Sequence, residues 1–147
     1  MGQIIDLELM RIVHQEKIRT KALNRFPWAD MMKTTRELVE PMTHFWSEQK
    51  RTILLELVYR TAYEAFVWGI LEAKRAREHL RASNEEQTLE DLYRRLYQGD
   101  GERLVYQLIQ EFSLFGWLDE WSCESVLILL EDLVRRWFVR GARQKWR

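Results

Sequence analysis

The residues with the most chemistry to offer lie near the end of the chain, where Arg135, Arg136, Arg140, Arg143, Lys145 and Arg147 are interleaved with Trp137, Phe138 and Trp146. Cations beside aromatic rings contact phosphates and stack on bases, so this segment is a candidate interaction surface suited to nucleic acid. The same residues have a plainer reading. Trp137 and Phe138 anchor a helix in the core, while the arginines lie in water or pair with acidic residues of the chain itself. Such partners are at hand: Glu78 to Asp132 holds thirteen acidic and four basic residues, and the remaining stretch holds six basic and no acidic ones. The formal net charge is zero, so attraction to a polyanion would fade beyond a Debye length of about 10 Å.

A second constellation is Glu56, Arg60 and Glu64, spaced four apart as helix neighbours require. In water each pair is worth a few tenths of a kcal/mol; partly buried, the three form a charge network that fixes helix register. Ile53, Val67 and Leu71 share their face and favour partial burial. Cys123 sits where a helix begins, and the positive end of the dipole there favours a thiolate. No histidine lies nearby in sequence, so a small buried apolar side chain is the expectation for it. Di-iron bundles use paired Glu-x-x-His motifs, and none occurs. Glu40 and His44 are separated by Pro41, and His14 and His79 have polar neighbours. Gly99 and Gly101 match no phosphate-loop spacing. No catalytic residue, metal ligand or cofactor site is expected.

The elements that position these groups are helices. From Ser47 to about Ala82 there is no proline and one glycine, Gly69. Leu55, Val58, Tyr59, Ala62, Ala65, Phe66, Ile70 and Ala73 form one broad apolar face of this long helix, with Ser47 as its N-cap. Before it, Ile5, Leu9, Ile12 and Val13 mark an amphipathic helix over about residues 6–23. A second helix starts at Trp28, and Pro41 must break or kink it. After it, Ser83 to Glu86 reads as a capping box with Thr88 as an alternative cap, opening a short helix through Leu89, Leu92, Tyr93 and Leu96. Gly99 to Gly101 reads as a turn. A fifth helix through Leu104, Val105, Leu108, Ile109, Phe112 and Phe115 ends near Gly116. Ser122 is the expected cap of the last helix, with Trp121 and Val126 as a hydrophobic staple, and Val126 to Leu130 is apolar in every direction. Gly141 is the expected stop, leaving 142–147 as a basic tail whose removal should barely disturb folding.

These elements predict an all-α, single-domain bundle (1–147) of five or six helices around a central helix at about 47–82. A hydrophobic fraction of 46% with seven tryptophans can fill a core of that kind. A single cysteine forms no intrachain disulfide, and Asp6, Glu8 and Arg11 interrupt the apolar stretch a secretory signal needs, which points to the cytoplasm. Met1-Gly2 is followed by Asp6 where a myristoylation motif wants Ser or Thr. Glu40-Pro41 ahead of the long helix, Glu64-Ala65-Phe66 followed by Gly69, and Trp137 with Gly141 before a basic end resemble the YbaK-like helical proteins of spore-forming bacilli, distinct from the tRNA-editing deacylase of similar name. The resemblance implies a cytosolic helical protein and supplies no activity. The expectation is a non-enzymatic protein–protein interaction or assembly module with a protein partner or a second copy. The alternative is a nucleic-acid-binding module using the C-terminal segment.

Overall fold

The computed structural model describes residues 2–83 and 86–144, and their side chains apart from those of 2–6 and 8. The uninterrupted central stretch forms α3 (Glu48–Ala82), with the Ser47 hydroxyl accepting the Lys50 amide proton at 3.2 Å as its N-cap. Around it lie α1 (Gly2–Arg25), α2 (Trp28–Met42), α4 (Leu89–Leu92), a π turn (Tyr93–Tyr97), α5 (Gln98–Glu111), α6 (Leu114–Trp117) and α7 (Glu120–Ala142). Because α4, the π turn and α5 run on without a break, they act as one rod over 89–111. The chain thus makes an all-α bundle of six rods, with no strand among the described residues.

The principal partner of α3 is α7, and glycine decides how close the two approach. A methyl group added at Gly69 would land on the Phe138 carbonyl oxygen and lie 2.9 Å from the Ala142 nitrogen. One added at Gly141 would land on the Phe66 carbonyl oxygen, 3.1 Å from the Ile70 nitrogen. Each backbone therefore packs directly on the other, in the geometry of Cα–H···O contacts. Gly141 is not a stop: the helix continues to Ala142, which is buried, and Arg143 caps it. The detachable tail expected over 142–147 is corrected accordingly, since its first residue belongs to the core. Lys145, Trp146 and Arg147 lie outside the described residues.

Two aromatic groups flank this crossing. Phe26 stacks on Trp137 at 5.0 Å and meets Phe66 edge-on at 5.2 Å, tying the α1–α2 corner to α3 and α7. On the other side Trp68, Tyr93 and Tyr97 surround Phe138, at centroid distances of 4.4, 5.3 and 4.7 Å. The apolar face of α3 is rotated from the expected one: Leu54 and Leu57 are fully buried, while Leu55 and Tyr59 are only half-buried.

Several local expectations change for physical reasons. The Gly99–Gly101 turn is helix, because the preceding π turn adds one residue to its turn and shifts the register. Tyr93, Tyr97, Gly101 and Val105 then face inward, and Leu96 turns out to 44% exposure. The cap of α7 is Asp119, whose carboxylate accepts the Ser122 amide proton at 3.0 Å, so Ser122 is already inside the helix. With the start displaced, Trp121 points to solvent and forms no staple, and Ile128 is 69% exposed although its apolar neighbours Leu129 and Leu130 are buried. Thr88 forms the capping box of α4 with Asp91; Asn84 and Glu85, central to the alternative box, lie outside the described residues. Pro41 occupies the last turn of α2, which ends one residue later and leaves Phe45 exposed. The fifth helix ends at Glu111, before Ser113 adopts φ 50°.

Phe66→Ala should destabilise the protein by about 3–5 kcal/mol in urea unfolding, because a fully buried ring at the crossing is lost. The glycines should respond with opposite signs. An alanine at Gly99 meets nothing within 4 Å and should stabilise by about 0.5–1 kcal/mol, the ordinary helix gain. An alanine at Gly69 should instead destabilise by about 1–3 kcal/mol or more, since the α3 and α7 backbones must separate. A stabilising Gly69→Ala would refute the close packing.

Candidate functional site

The described C-terminal cations, Arg135, Arg136, Arg140 and Arg143, are engaged within the molecule. Arg135 and Arg136 both hold Asp132, at 2.6 and 2.9 Å. Arg140 reaches Asp30 at the start of α2 at 2.7 Å and lies over the Trp137 ring at 5.1 Å. Arg143 bonds Glu90 of α4 at 3.1 Å. Trp137 and Phe138 are 3% and 1% exposed, so the described aromatic partners of these arginines cannot stack on a base. Arg140 and Arg143 thus tie this helix to α2 and α4 by partly exposed ion pairs, while the Asp132 pairs lie within the helix.

Of the spaced charges on α3, Glu64 is the centre. Its side chain is 17% exposed and accepts both guanidinium nitrogens of Arg19, at 3.2 and 3.0 Å, a bidentate pairing that locks α1 onto α3. The Tyr63 hydroxyl adds a bond to the Arg19 carbonyl oxygen at 3.1 Å. Arg60 bridges Glu64 at 3.3 Å and Glu111 of α5 at 3.4 Å. Glu56 is exposed and makes no ion pair among the described residues. The network thus runs Arg19–Glu64–Arg60–Glu111 across three helices and serves as a register clamp.

Cys123 is 6% exposed, with its thiol directed at the Leu118 carbonyl oxygen at 3.6 Å. Burial pushes the thiol above its ordinary pKa, helped by Asp119 and Glu120. No group of three or more His, Cys, Asp or Glu side chains that could hold a metal occurs among the described residues.

An apolar surface left without a partner among the described residues is on α1, whose Leu9, Ile12 and Val13 the sequence marks as a helix stripe and not as a site. Ala22 and the partly buried Ile18 pack on the core, whereas every described side chain from Leu7 to Lys17 is exposed. Leu7, Leu9, Met10, Ile12 and Val13 are between 45% and 68% exposed. Leu9, Ile12 and Val13 point about 150° away from Ile18 and Ala22 at 100° per residue, so the helix carries two apolar faces, one for the bundle and one outward. The readable signal was this change of phase between Leu9-Ile12-Val13 and Ile18-Ala22-Phe26. Leu9, Ile12 and Val13 make one exposed apolar stripe, with Met10 beside it and Leu7 on the other side of the helix, and such a stripe is of the kind that marks a binding surface.

Comparison with protein families, with curated proteins and with solved structures gives no match for this chain.

With its thiol buried and its pKa raised, Cys123 should react with iodoacetamide at neutral pH far more slowly than a free thiol, and no faster than the helix opens. Rapid alkylation of the native protein, followed by mass spectrometry, would show the thiol to be activated.

Proposed function

We propose that this protein is a non-enzymatic assembly module of the cytoplasm, in which the outward face of α1 pairs with α1 of a second copy. The observation that carries this reading is the exposed apolar stripe Leu9, Ile12 and Val13 on a helix half that its own bundle does not cover. Charge favours a second copy in antiparallel orientation. Residues 2–10 carry Asp6 and Glu8, while 11–21 carry Arg11, Lys17 and Lys21 against Glu16, besides Arg19, which is held by Glu64. Two such helices running in opposite directions bring unlike ends together, and a two-fold axis makes the contact self-complementary. The apolar seam that such a contact would bury is the stripe of Leu9, Ile12 and Val13, a little over one helical turn. No helix among the described residues is long and apolar enough to cross a membrane, so that seam has no lipid-spanning role. Kinship with the YbaK-like helical proteins belongs to this proposal and adds no activity to it. The nucleic-acid reading loses its main support, because the described C-terminal arginines hold Asp132, Asp30 and Glu90.

Sedimentation equilibrium should give a dimer mass for the native protein and a monomer mass for the double variant Leu9→Asp, Ile12→Asp. Both positions are exposed, so the variant should keep its helical content while its unfolding loses concentration dependence. A monomeric native protein at its highest soluble concentration would overturn the proposal.

A further inference from the structure

A groove of about 390 Å³, in the size range of small-molecule sites, lies between α2 and the first turns of α3. Its walls recur at Thr35, Val39 and Thr43 on one side and at Arg51, Leu55 and Tyr59 on the other, so it follows both helices for about 12 Å. No wall belongs to α1, and the groove is thus separate from the pairing face proposed above. Two lining residues each hold a buried polar atom with no hydrogen-bond partner among the described residues, the Thr35 hydroxyl oxygen and the Arg51 Nε. Thr35 is 2% exposed. A helical threonine can give its hydroxyl proton to the carbonyl four residues back, and Thr20, Thr43, Thr52 and Thr61 all do so. Thr35 makes no such bond. Arg51 donates one N–H to the Thr43 carbonyl oxygen at 2.9 Å, which fixes its guanidinium at the corner between the helices. The two unmet groups therefore sit towards opposite ends of the groove, and each is stabilised by a polar atom that enters it.

Charge and shape narrow the class of ligand. The ionisable groups that line the groove are Arg36, Glu40, His44 and Arg51, besides the Tyr59 phenol. With His44 and Tyr59 neutral they sum to one positive charge, Glu40 included. None of them is in an ion pair among the described residues. Water would supply an acceptor for the Arg51 Nε but no countercharge, whereas a carboxylate supplies both. Between the two ends the wall is apolar, with Val39 buried and Leu55 half-buried. We infer that this groove binds a small organic monoanion with a polar group at each end, an ω-hydroxy carboxylate. Its carboxylate accepts the Arg51 Nε proton, its hydrocarbon chain lies along Val39 and Leu55, and its hydroxyl meets that of Thr35. A chain of about six carbons spans a groove of this length.

Nuclear magnetic resonance titration of the full chain with ω-hydroxyhexanoate, hexanoate, hexanediol and inorganic phosphate separates the outcomes. Hydroxyhexanoate should shift the amides of Thr35 and Val39 and the Arg51 Nε–H resonance saturably. Hexanediol should bind at least about tenfold more weakly for want of the charge, and hexanoate about tenfold more weakly for want of the hydroxyl. Thr35→Val keeps the shape and removes a hydroxyl that has no partner among the described residues, so the spectrum away from the groove should be unchanged. That variant should bind hydroxyhexanoate about tenfold more weakly and hexanoate as the parent does, a pattern that general loosening of the fold would not produce. Arg51→Lys, which keeps the charge and loses Nε, should weaken both carboxylates about tenfold. Absence of a saturable shift, equal binding of hexanediol or hexanoate, saturation of the same resonances by phosphate at lower concentration, or undiminished binding to Thr35→Val would each overturn the inference.

Discussion

The backbone contact between α3 and α7 is the constraint on which the rest of this structure rests. Gly69 presses on the Phe138–Ala142 turn and Gly141 presses on the Phe66–Ile70 turn, so each helix has its glycine where the other offers a carbonyl. Helices that meet through larger side chains stand about 8–10 Å apart, and here two missing side chains remove that spacer. The reward is that Phe66 and Phe138, set beside the crossing, are fully enclosed by rings from other helices. An aromatic core of this density forms only if the two axes hold their separation.

Charge pairing follows the packing and does not direct it. Once α7 lies on α3, Arg140 and Arg143 emerge beside Asp30 and Glu90, whereas Arg135 and Arg136 hold Asp132 within α7 itself. Most of these pairs are exposed and each contributes little, but together they occupy cations that the linear sequence presents as a free basic segment. Glu64 is different, because its side chain is mostly covered and holds Arg19 with two bonds. Removing Glu64 would release both Arg19 and Arg60, which makes this carboxylate the natural determinant of where α1 sits.

The π turn links the fold to its unexplained polar features. By shifting register within the 89–111 rod it brings both Tyr93 and Tyr97 inward, and burial pushes each hydroxyl to a pKa of about 12. Tyr97 finds Glu72 at 3.2 Å, whereas Tyr93 lines a cleft beside α7. Two tyrosines with similar burial thus have different fates, decided by whether a carboxylate on α3 is in reach. The outer half of α1 is the complementary case of apolar groups, Leu9 and Ile12 among them, that the bundle does not use.

What the sequence determined by itself was the helical class, the span of α3 and its Ser47 cap, since these depend on local propensities: absence of proline, apolar periodicity and one hydroxyl at the right offset. It also carried the burial of Trp137 and Phe138, because two aromatic rings in an apolar stripe have few other places to go. The tertiary structure decided everything that required a partner distant in the chain. Gly141 reads as a stop until Phe66 is seen against it, and Gly101 reads as a turn until a π turn carries Tyr93 beside it. Ser122 and Asp119 are both competent caps, and the burial of Cys123 and Val126 selects the register that starts at Asp119. The Arg19–Glu64 pair spans 45 positions, so neither residue alone shows that the other is its partner. Local chemistry specifies which segments coil; only the packed neighbours determine which of their glycines, hydroxyls and charges have a task.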